Sequence, residues 1–255
     1  MPVQQFVLTY PVEAALTLLG LFIFLFVLFN LLKRPDSSFL LRPIPAYERL
    51  RNLTVQSIET GQPMHVSMGS GEWSQATPEL VAGLIALDYV GREATRADEA
   101  LCATMGNPVT LLLAMNVLQL NFVRVGAYTG PAGNELYFYG PDRLAYAGGS
   151  AHQAYRRPRE AHALVGNFGD DGLWLAEALQ PGGAPVLGGT SDPATAALMH
   201  LSVDESIIGE DLFAAGAYLH RPRHLGSLAA QDVMRFLVAL AIIAGAILAS
   251  LGVGG

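Results

Sequence analysis

The sequence predicts an α/β fold: a Rossmann-like domain with a mostly parallel sheet, flanked by one N-terminal and one C-terminal transmembrane helix. Three observations lead to this prediction. Short β-rich runs that end in glycine alternate with helical segments, several helical segments begin with a capping residue followed by proline, and both ends of the chain are apolar. Continuous apolar strands that alternate with helices are typical of a parallel sheet covered on both faces.

The strand and helix unit occurs five times in the middle of the chain. The runs and the helices that follow them are MHVSMG before 77–97, LCATMG before 108–120, ELYFYG before 142–155, HALVGNFG before 173–179 and PVLGG before 193–200. A last short strand and helix are predicted within 205–219. We therefore expect one α/β domain over 61–220.

Three of the predicted helix starts share one chemical signature. Each combines a side chain that can cap a helix with a proline at the first helical position, where the missing N–H costs no hydrogen bond. The three pairs are Thr77-Pro78, Asn107-Pro108 and Asp192-Pro193.

Two apolar segments, 14–32 and 236–253, contain no charged residue. At 1.5 Å per helical residue, about 20 residues cross a hydrocarbon core of about 30 Å, so we predict two transmembrane helices. The alternative for the first segment is a cleaved signal peptide. However, no basic residue precedes the segment and no small-residue cleavage site follows it.

Positive residues flank both segments on the side of the central domain. They are Lys33, Arg34 and Arg42 after the first segment, and Arg221, Arg223 and Arg235 before the second. This asymmetry predicts a two-pass membrane protein with a cytoplasmic central domain and both termini outside. The single Cys102 fits a reducing compartment. The expected organisation is an external terminus 1–13, a span 14–32, a linker and connector helix 33–60, the domain 61–220, a juxtamembrane segment 221–235 and a span 236–253.

Several classes of chemistry are excluded by residue type. Lys33, at the membrane boundary, is the only lysine in the chain, and P-loop NTPases, protein kinases and pyridoxal enzymes each need a lysine in the domain. The net charge of −7 and the dispersed basic residues argue against nucleic acid as a partner. The six histidines have no zinc-ligand spacing. We therefore predict no cofactor and no metal.

One candidate ligand site lies at the predicted carboxyl edge of the sheet, where open α/β sheets bind ligands. Its candidate residues are Gly69, Gly71, Asn107, Asn167, Asp170, Ser191 and Asp192. The turn Gly69-Ser70-Gly71 is the first half of a dinucleotide fingerprint, but Ser74 occupies the third glycine position. The sequence leaves two interpretations open, a site for a small polar ligand or a set of structural turns and helix caps.

Two helices are candidates for contacts with other helices. Ala241, Gly245 and Ala249 repeat every four residues in the second apolar segment and form a smooth face that favours helix packing. The segment 109–123 is apolar nearly all round but is interrupted by three amide side chains. We expect it to be a buried helix or a contact between protomers rather than a third span.

Four phrases, IPAYERLRNL, MHVSMGSG, IIGEDLFAAGAYL and LAAQDVMRFLVALAIIAGAIL, resemble a family of uncharacterised bacterial membrane-anchored α/β proteins, a domain of unknown function associated with Chloroflexota-type bacteria. The resemblance covers residues 46–248. It implies the same membrane-tethered layout and supplies no activity or site residues.

The sequence as a whole favours a non-catalytic, membrane-tethered scaffold that either self-associates or serves as an accessory subunit of a larger membrane complex, with the lipid bilayer as a partner. The alternative is a small-ligand-binding or hydrolytic domain that uses the carboxyl edge of the sheet.

Overall fold

The structure, a computed structural model, describes residues 11–32, 43–126, 134–220, 233–240 and 242–243. Residues 43–220 form one compact unit, and the two ends of the chain form a second. In the second unit, helix α1 (Pro11–Leu32) contains the first predicted span. Residues 233–240 and 242–243 are helical, and those from 236 onward lie within the second predicted span. The predicted packing residues Ala241, Gly245 and Ala249 lie outside the described residues.

The compact unit alternates helices and strands. The helices are α2 (Pro45–Thr60), α3 (Trp73–Arg96), α4 (Pro108–Val125), α5 (Arg143–Tyr155), α6 (Asp170–Leu179) and α7 (Pro193–Met199). The strands are β1 (His65–Ser67), β2 (Cys102–Met105), β3 (Glu135–Phe138), β4 (His162–Val165), β5 (Val186–Thr190) and β6 (Glu205–Ile208). Two 3₁₀ turns, Gln180–Gly182 and Gly209–Ala214, and a π-helical turn, Gly216–His220, complete the unit.

All six strands are parallel and lie in the order β3-β2-β1-β4-β5-β6. The predicted Rossmann-like α/β fold is therefore confirmed. Every residue of β1, β2, β4 and β5 is buried, as expected for strands covered on both faces. Because the order reverses between β1 and β4, the loops after these two strands meet at the carboxyl edge.

The connector helix α2 belongs to the compact unit. Tyr47 is completely buried, and its hydroxyl lies 3.0 Å from the backbone oxygen of Asp211 and 2.9 Å from that of Leu212. These contacts join the first helix of the unit to the turn that follows its last strand.

Two of the three predicted helix caps are present. The Asn107 side chain accepts a hydrogen bond from Val109 N at 2.9 Å, and the Asp192 side chain accepts one from Thr195 N at 2.8 Å.

The prediction of a third cap, at Thr77, is wrong, because α3 begins at Trp73 and Pro78 therefore lies inside the helix. A Thr-Pro pair has the same local signature wherever the proline falls in the first two turns. Here the loop between β1 and α3 spans only 68–72, a length that is common between a strand and the next helix. Because α3 begins before Pro78, the Ser74 carbonyl lacks its usual helical hydrogen bond, since the proline at 78 has no backbone N–H to donate.

Helix α4 is packed on one side only. Leu118 and Asn121 face α3, where Asn121 Nδ2 donates to Asp88 O at 3.1 Å. The opposite face is exposed, with 66% of Leu112 and 72% of Val123 accessible to solvent. Only 22% of the residues of α4 are buried. The segment is thus not the buried helix that was one of the two alternatives predicted for it.

Among the described residues, one helix, Pro108–Val125, meets the length and composition needed to cross a membrane, and a shorter apolar stretch, Leu16–Leu28, lies in α1. Because α4 packs on α3 and connects two neighbouring strands, its composition does not by itself indicate a span. The two flanking spans stay predictions.

We predict that the two caps respond differently to pH. Hydrogen bonds from Thr195 lower the pKa of Asp192 below its ordinary value of 3.8. The stabilisation from this carboxylate is therefore complete above pH 3.8 and is lost as the pH falls through the lower pKa of the folded state. Asp192→Ala should cost about 1 kcal/mol near neutral pH, and the cost should shrink in acid. The free energy of unfolding of the full chain in detergent, followed by tryptophan fluorescence, measures both values.

Asn107→Ala is the matched control, because its cap does not titrate and its cost of about 1 kcal/mol should not depend on pH. An equal acid dependence of both variants would contradict the assignment of Asp192 as a charged cap.

Candidate functional site

The glycine turn 69–71 directs its backbone N–H groups to acceptors within the protein. The three bonds run from Gly69 N to the Tyr146 hydroxyl at 2.9 Å, from Ser70 N to Asp171 Oδ2 at 3.1 Å, and from Gly71 N to Asn167 O at 3.3 Å. A phosphate-binding loop needs such N–H groups for its ligand. In this chain the same donors hold the loop in place.

The Asp171 carboxylate occupies a position that an anionic ligand would favour. Asp171 lies in the first turn of α6, where backbone N–H groups and the helix dipole stabilise negative charge. The side chain is completely buried, and besides Ser70 N it accepts a hydrogen bond from Gly169 N at 2.7 Å. A single carboxylate thus links the loop after β1 to the loop after β4.

A second carboxylate, Glu79 of α3, links the loops after β4 and β5. Glu79 is buried, and it accepts hydrogen bonds from Asn167 Nδ2 and from Ser191 Oγ. Both bonds satisfy polar groups that would otherwise be free to contact a ligand. The two buried carboxylates together tie three neighbouring loops into one layer.

Close approach of these loops accounts for the glycines. Gly69 has φ +83°, and a Cβ built there would lie 1.8 Å from Asn167 O. A Cβ on Gly71 would lie 1.8 Å from Asn167 Oδ1. Both positions therefore require glycine because the Asn167 loop contacts them directly.

The structure brings together four of the seven predicted site residues, Gly69, Gly71, Asn167 and Ser191. The other three lie at helix starts: Asn107 and Asp192 cap α4 and α7, and Asp170 is exposed, with Oδ2 3.5 Å from Arg143 Nη1. Ligand binding by the set of seven stays a prediction.

Sequence reasoning did not place Glu79, Asp171 or Tyr146 among the candidate site residues. Asp171 is visible in the sequence as half of the carboxylate pair Asp170-Asp171 at a strand end, but adjacent helical residues point in different directions, so one of the two can be buried while the other is exposed. Glu79 and Tyr146 resemble ordinary helix residues.

A buried polar row crosses the face of the sheet that α5 covers. The Tyr146 hydroxyl lies 2.6 Å from Ser67 Oγ and 3.2 Å from Thr104 O, and burial raises the pKa of this tyrosine. On the same strands, His65 Nε2 lies 2.9 Å from Thr104 Oγ1, and His65 Nδ1 lies 3.2 Å from His162 Nδ1.

Both histidines of this row are neutral near pH 7. Desolvation and the charge of Arg159 lower the pKa of His162 to about 4, and desolvation with the nearby His162 and Arg159 lowers that of His65 well below 6.5. Since the two Nδ1 atoms face each other, one ring must donate to the other. The row can therefore relay hydrogen bonds but holds no charge.

The structure also shows how the possible metal ligands and the single thiol are placed. In the part of the chain that it describes, no group of three or more histidine, cysteine, aspartate or glutamate side chains is placed to hold a metal ion. The expected absence of a metal stays a prediction. Cys102 is buried in β2, and desolvation raises its pKa to about 12. Its thiol is thus protonated and packed, which is a structural environment rather than a reactive one.

The two neighbouring aspartates of α6 should differ sharply on substitution. Asp171→Ala should lower the free energy of unfolding by about 3 kcal/mol, because Ser70 N and Gly169 N lose a charged acceptor in a buried place. Asp170→Ala should change it by less than about 1 kcal/mol, because an exposed ion pair contributes little. Denaturant unfolding of the full chain measures both values, and equal costs would show that Asp171 does not link the loops.

Two glycines with φ +83° provide a second comparison. Gly69→Ala combines a strained backbone with a clash against Asn167, whereas a Cβ on Gly140 would meet nothing within 4 Å. Gly140→Ala should cost about 1 kcal/mol, and Gly69→Ala should cost several times more or prevent folding. A Gly69→Ala protein as stable as Gly140→Ala would contradict the close packing of the two loops.

Comparison with known proteins places the chain in a family. No curated protein and no solved structure matches it. A family model described as Domain of unknown function (DUF6754) matches residues 4–254, a longer stretch than the resemblance noted in the sequence. The six-stranded parallel fold and the linked loops at its carboxyl edge therefore describe a chain that belongs to the DUF6754 family.

Proposed function

We propose that this protein is a membrane-tethered, non-catalytic α/β scaffold that assembles with copies of itself through helix α4. The observation that carries the proposal is the exposed apolar face of α4. Assembly as an accessory subunit of a larger membrane complex is the second form of the same proposal, in which another polypeptide covers that face.

The exposed face of α4 has the spacing of a helix contact. Its consecutive apolar members are three, one, seven and three residues apart, spacings that place them on one side of the helix. They are Val109, Leu112, Leu113, Leu120 and Val123, between 37% and 72% exposed. The exposed Asn116 lies among them. An exposed face that is mostly apolar often marks an interaction site.

The hydrogen bonds at the carboxyl edge also support the scaffold proposal, because they argue against the alternative of a ligand site. The backbone donors of the turn 69–71 are bonded to protein, and the carboxylates of Glu79 and Asp171 are engaged by other loops. These contacts stabilise the edge as a rigid layer, which suits a scaffold. A small-ligand-binding or hydrolytic role at this edge is the alternative, and a ligand there would have to displace several of these bonds.

The membrane tether is proposed from α1 and from the charge pattern of the chain. Glu13 is the only charged residue of α1, and most of its described large apolar residues, among them Leu16, Leu19 and Phe24, are exposed. An apolar helix exposed on its sides needs a lipid or protein environment. With the second apolar segment, 236–253, and the positive-inside pattern, we propose a two-pass protein of the bacterial inner membrane with a cytoplasmic domain and both termini outside.

Substitution of one leucine on α4 tests the assembly. Leu112→Gln should reduce the mass of the complex extracted in mild detergent, because an amide replaces an apolar side chain in the contact. Leu144→Gln on α5 is the matched control, since Leu144 is also 66% exposed but lies on a different face of the domain. Native mass spectrometry compares the two complexes with multiples of the 27.1 kDa chain. An unchanged complex for Leu112→Gln would remove α4 from the interface.

The apolar C-terminal segment offers a competing contact. If the small residues Ala241, Gly245 and Ala249 hold the assembly, Gly245→Leu should dissociate it and Leu112→Gln should not. The same mass measurement on both variants therefore assigns the contact to α4, to the C-terminal segment or to both. A complex that includes another polypeptide would favour the accessory-subunit form of the proposal.

A further inference from the structure

A cavity lies at the amino edge of the sheet, opposite the linked loops. It has a volume of about 590 Å³ and is formed by the segment 154–162, by 182–185 and by Gln62. This volume is within the range of small-molecule sites. The cavity lies next to the first residues of β4 and β5 and is unrelated to the residues predicted from the sequence.

Three arginines line this cavity within four positions of the chain, Arg156, Arg157 and Arg159. Among the described residues that line the cavity, the one acidic side chain is Glu160, whose Oε2 accepts a hydrogen bond from Thr60 Oγ1 at 2.9 Å. The lining is therefore positive in a chain whose net charge is −7.

Glu135 behind the wall neutralises part of this charge. Its carboxylate accepts a hydrogen bond from Arg159 Nη2 at 2.9 Å and lies 3.7 Å from Arg157 Nη1. Burial alone would raise the pKa of Glu135, but hydrogen bonds from Arg159 and Gln153 and the charges of Arg159 and Arg157 lower it overall. One carboxylate thus serves two guanidinium groups, and Arg156 contacts the neutral Gln153 Oε1 at 3.5 Å.

Arg159 stands out because it is a buried cation with an unused donor. Its side chain is 2% exposed, and among the residues that the structure describes its Nε has no hydrogen-bond partner. Buried donors without partners are rare and indicate an absent ion, water or ligand in the vicinity. Arg156 and Arg157 follow the C-terminal end of α5, where positive charge is favourable for the helix dipole. This effect does not account for the buried Arg159.

We propose that the amino-edge cavity binds a phosphate group, with Arg156 and Arg157 contacting the phosphate oxygens and buried Arg159 providing fixed positive charge behind them. Guanidinium groups bind phosphate through paired hydrogen bonds, which favours this anion over chloride. The phosphate belongs either to a soluble organic molecule or to a lipid headgroup, since both present the same chemistry. This site is independent of the proposed assembly through α4.

The test is thermal unfolding of the full chain in neutral detergent, with sodium phosphate compared with sodium chloride at equal ionic strength. Phosphate should raise the Tm of the wild-type protein by about 3 °C near saturation. Arg143→Gln, which removes an exposed arginine elsewhere on the domain, should keep this rise. Arg156→Gln/Arg157→Gln should lose it. No rise with phosphate, or an equal rise in the double variant, would overturn the proposal.

Two further experiments identify the source of the phosphate and test whether loss of folding explains a lost rise in Tm. In nanodiscs, a rise in Tm when phosphatidylglycerol is mixed into phosphatidylcholine, abolished by the double variant, assigns the site to a headgroup. A rise with added sodium phosphate, without a rise when phosphatidylglycerol is mixed in, assigns the site to a soluble molecule. Arg156→Lys/Arg157→Lys keeps both charges but loses the paired donors, so it should fold and retain less than half of the rise with phosphate. A full rise in this variant would contradict recognition by the guanidinium groups.

Discussion

The contact between the loops after β1 and β4 is the constraint on which the rest of the domain depends. These strands are neighbours at the point where the strand order reverses, so their loops have to approach each other. Asp171 makes this approach favourable by accepting hydrogen bonds from Ser70 N and Gly169 N, and Gly69 makes it sterically possible. A buried carboxylate with two backbone donors is a strong local link, and it joins the loop before α3 to the first turn of α6.

The same link shapes what the domain can do. In most α/β folds with this strand order, the reversal leaves a crevice in which a ligand contacts loop N–H groups. In this chain, protein acceptors take those groups and Glu79 ties in the loop after β5. The features that point outward are elsewhere, on the apolar face of α4 and in the arginine-lined cavity of the amino edge. A fold that often carries cofactors is thus combined with surfaces suited to assembly and to binding an anion.

Much of the fold could be predicted from local patterns, and the reasons for the failures are physical. Each strand is a short apolar run before a turn, and the Asn107 and Asp192 caps depend on residues within three positions. Strand order could not be predicted, because it depends on long-range pairing such as that of His65 with both Cys102 and His162. The Thr77 cap failed because loop length decided the start of α3.

The site could be predicted only in part for the same reason. Gly69, Gly71, Asn167 and Ser191 follow strands, so a parallel sheet brings them together. Asn167 and Ser191 share the partner Glu79, which comes from α3 and whose sequence neighbours give no sign of burial. Arg156, Arg157 and Arg159 were not predicted as a site, because the basic residues of the domain look dispersed in the sequence and the buried state of Arg159 depends on Glu135, which lies on a distant strand.

Cross-linking across α4 in native membranes tests the scaffold account most directly. Cys102 is the only cysteine and is buried, so Asn116→Cys, at the centre of the apolar face, places a single accessible thiol there. Gentle oxidation should produce a covalent dimer at about twice the 27.1 kDa mass of the chain, because a symmetric contact brings equivalent residues together. A thiol that reacts fully with a water-soluble maleimide and forms no dimer would contradict self-assembly through α4.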